Sequence, residues 1–417
     1  DRDRQNAWDQ ANVEAKAQPV DNVVPLGKTT KKPETPPPPV YKPTPFVWKD
    51  PKKVPRRQFV YGKHLVRGYL SATVAPGGVG KSSLALVEAV AMATGKTLLG
   101  IATAPRRVWY VNLEDPHEEI ERRIAAICLH FGIAADEPGD RLYFDGREIE
   151  IVLATQTRSG YAIATPAVDA LTAALKGGRF DVFIVDPFVS THRVSENDNM
   201  AIDAVAKKLG AIAGEADCAI ELIHHVRKTG GLEVTVEDGR GASALVNATR
   251  SSRVLNRMSK EEADKAGVGE ERGYYFRADS GGKANLVPPS AKATWYRLQN
   301  VALGNGSNDG VDDQDYVGVV TSWKWPDAFE GYTTADTDRV LAAIADGRCR
   351  KDSRSEEWVG HVIAKTLGMD VSKPRDRARI NDMIKRWLAN KLIKVVEAMD
   401  EGRKKRAYVE VREPGDD

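Results

Sequence analysis

The chain has 417 residues, 41% hydrophobic and 29% charged, the composition of a soluble globular protein with room for two or three cored domains. A formal net charge of +2 announces no polyanionic partner, so any basic surface has to be local. No apolar run approaches the ~18 residues of a membrane span. The opening DRDRQNAWDQ has neither a Met nor an apolar signal core, which reads as a start inside a longer chain and favours the cytoplasm. The cysteines Cys128, Cys218 and Cys349 have no metal-ligand spacing and read as core hydrophobes of a reducing compartment.

Residues 1–57 include PETPPPPVYKPTPFVWKDPKKVPRR, an extended Pro-rich tether. Phe46 and Trp48 stand just before the next domain and are candidates to cover a nucleotide base. Residues 58–330 alternate short β-rich runs with helical patterns, which argues an α/β domain with a mostly parallel sheet covered on both faces. The strands are 70–75, 107–113, 181–187 and 219–225, and helices span 82–94, 116–132, 166–176 and 198–216. Runs at 273–286, 294–303 and 316–325 read as an antiparallel extension. Residues 331–417 carry helical patterns at 335–346, 356–368 and 374–390, then two strands around a basic turn, which predicts a winged-helix-like domain. Its third helix and wing would offer Lys373, Arg375, Arg377, Arg379, Lys385, Arg403, Lys404, Lys405 and Arg406 to phosphates, or form a protein-contact face.

APGGVGKSS (75–83) fits a P-loop except for Ala75 in the first Gly position, and it lies between a strand and a helix as the motif requires. Gly77, Gly78 and Gly80 allow the backbone to turn N–H groups onto phosphates, with Val79 and Ser83 in the same loop. Lys81 would reach the β- and γ-phosphates of ATP, and Ser82 would bind Mg²⁺. Asp186, ending the apolar strand DVFIVD, would orient Mg²⁺ through water. Glu114 in WYVNLEDP is the candidate base for water. Asp115 is either its neighbour, an outer metal contact, or the N-cap of the helix opened by Pro116. No Arg-rich lid argues for a small-molecule kinase. The pair His224 and His225 ends another strand. It has no third ligand for zinc, reads as a γ-phosphate sensor or as buried imidazoles, and precedes a Gly-rich loop, 228–243, with little to hold it to a core.

Together GGVGKSS, VNLEDP with RRI, FIVDPF, LIHHVRK and GRGASALVNATRSSRVL resemble the RepA-type hexameric replicative helicases of plasmids and prophages, over roughly residues 58–260. The resemblance implies a RecA-like core, with Glu114 as catalytic glutamate, Asp186 as the Walker B aspartate and His225 as γ-phosphate sensor. It further implies Arg250 as an arginine finger acting on a neighbour's ATP, with Arg123 and Arg240 near the phosphates or the interface. The function it implies is an ATP-driven helicase or translocase of a mobile element, moving single-stranded DNA through a homo-oligomer of about six subunits. A replication or mobile-element partner would bind residues 331–417. The alternative is a DNA-binding ATPase that loads, mediates or regulates without unwinding.

Overall fold

A computed structural model describes residues 42–226, 233–235, 242–288, 293–306, 313–400 and 402–412. The chain divides into two units, residues 1–55 and 56–417. In the first, Asp50 starts a short 3-10 turn, Pro51–Lys53, by accepting the Lys52 N–H at 3.0 Å. Phe46 and Trp48 are exposed.

The second unit opens with a hairpin of β1 (Phe59–Tyr61) and β2 (Leu65–Val66). There follow β3 (Leu70–Pro76), α1 (Lys81–Thr94), β4 (Val108–Asn112), α2 (His117–Phe131) and β5 (Leu142–Asp145). Next come β6 (Ala154–Thr157), β7 (Gly160–Ile163), α3 (Thr165–Gly178), β8 (Val182–Asp186), β9 (His192–Arg193), α4 (Asn199–Glu215) and β10 (Ala219–Val226). The domain ends with α5 (Ala242–Ala248), β11 (Ser251–Arg257), α6 (Lys260–Ala266), β12 (Tyr275–Ala284), β13 (Thr294–Ala302) and β14 (Tyr316–Trp323).

Nine strands form one sheet in the order β14-β13-β12-β11-β3-β10-β8-β4-β5. From β11 to β5 every neighbouring pair is parallel, and β11 to β14 pair antiparallel. Strand β10 is inserted between β3 and β8. Alternation along each parallel strand feeds two cores. In β8, Val182 and Ile184 face the side of α1 and α2, whereas Phe183 and Val185 face that of α3 and α4.

Helix α1 is apolar almost all round because it is covered twice. The parallel sheet lies on one side, and Phe276, Tyr296, Val319 and Val320 of the antiparallel strands complete the same core. Glu88, buried in the middle of α1, meets Arg253 of β11 in a bidentate pair at 2.6 and 2.7 Å. Arg253 Nε donates to Thr73 Oγ1 at 2.8 Å, and Thr73 in turn donates to Glu221. Glu221 also holds His64 Nε2 at 3.0 Å. This buried network ties α1, β3, β10 and β11 to the first hairpin. Cys218 and Cys349 are buried, and Cys128 is partly buried.

The last domain consists of α7 (Thr334–Ala345), β15 (Cys349–Arg350), α8 (Val359–Leu367), α9 (Pro374–Ala389), β16 (Ile393–Met399) and β17 (Lys405–Val411). Its sheet order is β15-β17-β16, and the three helices are followed by the antiparallel β16–β17 hairpin. Val340, Ile344, Trp358, Ile363, Ile380, Met383 and Trp387 form its core. Several basic side chains assigned to phosphates are engaged within the chain. Arg379 donates to the carbonyls of Ala328 and Glu330, Arg377 to that of Ser353, and Arg406 to Asp400. Lys405 pairs with Glu397. Lys373, Arg375, Lys385, Arg403 and Lys404 are exposed. Helix α9 also packs against α6, where Arg375 lies over Gly267.

Candidate nucleotide site

The parallel strands β3, β4, β8 and β10 end at one edge of the sheet, where open α/β sheets hold ligands. Between β3 and α1 the backbone turns through Gly78 (φ 74°) and Gly80 (φ 113°), a region that side chains with a Cβ rarely enter. A Cβ on Gly80 would also come 3.2 Å from the Phe276 ring. Gly77 needs no such freedom: its φ is ordinary and the space beside it is open. Val79 is buried in the core and anchors the loop.

Lys81 opens α1 and is 5% exposed. Burial pulls its ammonium below the ordinary lysine range, and Asp186 and Glu114 hold it up in part. Asp186, 1% exposed, is raised by burial, while the Ser82 hydroxyl, Lys81 and Tyr110 favour its charged form. The Tyr110 hydroxyl donates to Asp186 Oδ2 at 3.1 Å. Ser82 and Asp186 therefore bring two hard oxygen donors into contact, the donor type that suits Mg²⁺. Glu114 is exposed and lies 3.9 Å from His225 Nε2. His225 is lowered first by burial and then by Lys81, so its ring favours the neutral form.

Asn112 shapes the turn that carries Glu114. Its Oδ1 accepts the N–H of Glu114 at 3.0 Å and of Asp115 at 2.8 Å. Asp115 does not cap α2, whose N-cap is Pro116. Its carboxylate accepts instead from Arg123 at 2.7 Å. Gly78, Gly80, Lys81, Ser82, Ser83, Asp115 and Arg123 line a pocket of about 380 Å³ with Leu298 and Tyr316 of the antiparallel strands. Residue types at a strand end gave the carboxylates. Tyr110 and Asn112 were missed, because nothing in WYVN marks which strand residues face the edge.

Lys81, Ser82, Glu114, Asp186 and His225 are thus gathered at one edge. Arg250 is not among them. Its N–H donates to Leu70 O at 3.0 Å, at the start of β3, and its side chain is exposed. The six residue steps of β3 put it about 20 Å from its own P-loop. Arg240 lies outside the described residues. The loop after β10 has an anchor that its composition did not announce: Val234 is 2% exposed and packs with Val74, Val226, Val246 and Val254.

His224 is buried beside Phe188, and neither ring nitrogen has a hydrogen-bond partner among the described residues. Burial, then His225, His192 and Lys81, push it down to about 4. As pH falls through about 6.5 the unfolded chain takes up this proton, but the folded chain does so only near 4, so stability falls within that window and not above it. The expected loss is about 2 kcal/mol between pH 7 and pH 5, from this residue alone. Urea unfolding at both pH values checks it. His224→Leu should flatten the dependence, and an unchanged slope in the variant would contradict the assignment.

Residues 35–231 match the family model described as AAA domain. Among solved structures, the crystal structure of the RadB recombinase is similar over 56% of this chain and 89% of its own, at 14% identity and a TM-score of 0.37. No helix among the described residues is long and apolar enough to cross a membrane. The match to the AAA domain model and the P-loop, its helix and the carboxylate-bearing strand ends gathered at one sheet edge together support an ATPase domain of α/β architecture.

Proposed function

We propose that the chain is an ATP-driven translocase or helicase on single-stranded DNA, serving a mobile genetic element and working as a ring of about six copies. The observation that carries this reading is the separation of Arg250 from its own P-loop by the length of β3. An exposed arginine there has no reach to its own ATP, but head-to-tail association would bring it to a neighbour's. In that assembly Glu114 orients the attacking water, held by the Asn112 turn, and Lys81 and the neighbour's Arg250 stabilise charge developing on the γ-phosphate. Ser82 and, through water, Asp186 would hold Mg²⁺, which supplies further neutralisation of phosphate charge. His225, near both Glu114 and Lys81, senses the γ-phosphate and opens the path to the loop that follows β10.

One observation favours the second reading, a DNA-binding ATPase that loads or regulates without unwinding. Arg377 and Arg379 of α9 are engaged within the chain, and α9 packs on α6, which suits a protein-contact domain better than a groove reader. Steady-state ATP hydrolysis with and without single-stranded DNA tests the proposal. Marked stimulation by the DNA is expected. Hydrolysis indifferent to DNA would remove the translocase reading and leave the loader or switch.

A further inference from the structure

The end of β11 is attached on one face to the P-loop and on the other to the loop that follows β10. Alternation along the strand separates the two attachments. Leu255 faces the core of α1, and Arg257, two residues on, donates from Nη2 to the carbonyl of Gly78. Val254 faces the valine cluster that holds Val234, and Asn256 lies on that same side. Asn256 grips Val234 twice, accepting its N–H at 2.8 Å and donating to its carbonyl at 2.9 Å. Asn256 is 6% exposed, so this exchange of hydrogen bonds is screened from water. Glu233 is fastened separately to Arg277 of β12.

Gly78 belongs to the segment whose N–H groups turn towards phosphate. A Cβ there would come 3.2 Å from the Arg257 guanidinium, so glycine permits the approach. A polyphosphate in the P-loop would change both the orientation of this carbonyl and the field at an adjacent guanidinium. The next residue back along the strand holds the loop.

We infer that Asn256 and Arg257 are positioning residues that transmit P-loop occupancy through the end of β11 to residues 233–235. The inference rests on the ATPase reading. It adds a route independent of His225, through a different strand.

Hydrogen–deuterium exchange of the full chain tests it, followed in peptides covering Val234 with and without saturating Mg²⁺·AMPPNP, with nucleotide binding measured separately by titration. In the unaltered chain the nucleotide should change exchange at Val234. Asn256→Ala should raise basal exchange there about thirtyfold, as expected for two lost hydrogen bonds, and remove the nucleotide effect. Arg257→Ala, at an exposed position, should keep the basal rate but lose the nucleotide effect, and Arg257→Lys should restore part of it. A nucleotide effect that survives both alanine variants overturns the inference. So does an unaltered chain that binds AMPPNP without any change at Val234. Failure to bind AMPPNP at all would instead overturn the ATPase reading beneath it.

Discussion

Arg253→Met will cost the ATPase domain about 3–5 kcal/mol, because it strands a buried carboxylate. Arg253 is 7% exposed and Glu88 2%, and two hydrogen bonds join them. Burial alone would weaken the charge on Arg253, but Glu88 outweighs it and raises the guanidinium above its ordinary range. Without Arg253, Glu88 must stay charged in an apolar core or take up a proton, and Thr73 loses its donor while keeping Glu221 as acceptor. Thermal unfolding should fall by about 10 °C for a domain of this size. The double variant Arg253→Met with Glu88→Leu should recover most of that loss, since a buried pair replaced by apolar groups is often nearly neutral. A single variant within about 2 °C of the unaltered chain would mean that the network contributes little.

Lys81→Ala should lower ATP turnover at least about 100-fold, the scale of losing one preorganised charge donor in a desolvated site. Lys81 is nearly buried beside Asp186 and Glu114, and Arg123 of the same pocket is held by Asp115 and Glu119. Glu114→Gln should lose turnover on a similar scale, about 100-fold, while nucleotide binding is kept, because its carboxylate is exposed at the rim and acts on water rather than on the loop. ATP turnover and nucleotide titration on the same preparations separate the two effects. Unchanged turnover in Lys81→Ala would remove the P-loop assignment.

The parallel strands and the P-loop were legible because their signals are local: apolar runs such as DVFIVD, and a glycine loop between strand and helix. Strand β11 was not recognised as a strand. In SSRVLNR only Val254 and Leu255 are apolar, and the other inward residues are Ser252, Arg253 and Asn256. Arg253 and Asn256 are satisfied by Glu88 and Val234, 165 and 22 residues away, which no local pattern can show. The same distance hid the anchor of the loop after β10, whose polar, Gly-rich composition suggested no hold on a core. Strand β5 was missed because it is only four residues long and half-buried, and the small sheet of β6, β7 and β9 because its residues are mostly exposed and small or polar. The three helices and the two strands after them were legible from period and turn signals, but not that Arg377 and Arg379 would be engaged within the chain.

The central claim is that two copies build one active site, and mixing two inactive variants tests it most directly. Arg250→Ala and Glu114→Gln should each be nearly inactive alone while still binding ATP. Mixed in equal amounts and allowed to reassemble, they should regain up to roughly a quarter of normal turnover, the share of interfaces with an intact Glu114 on one side and an intact Arg250 on the other. Mixtures as inactive as the separate variants, with reassembly verified, would contradict a finger supplied by the neighbouring copy.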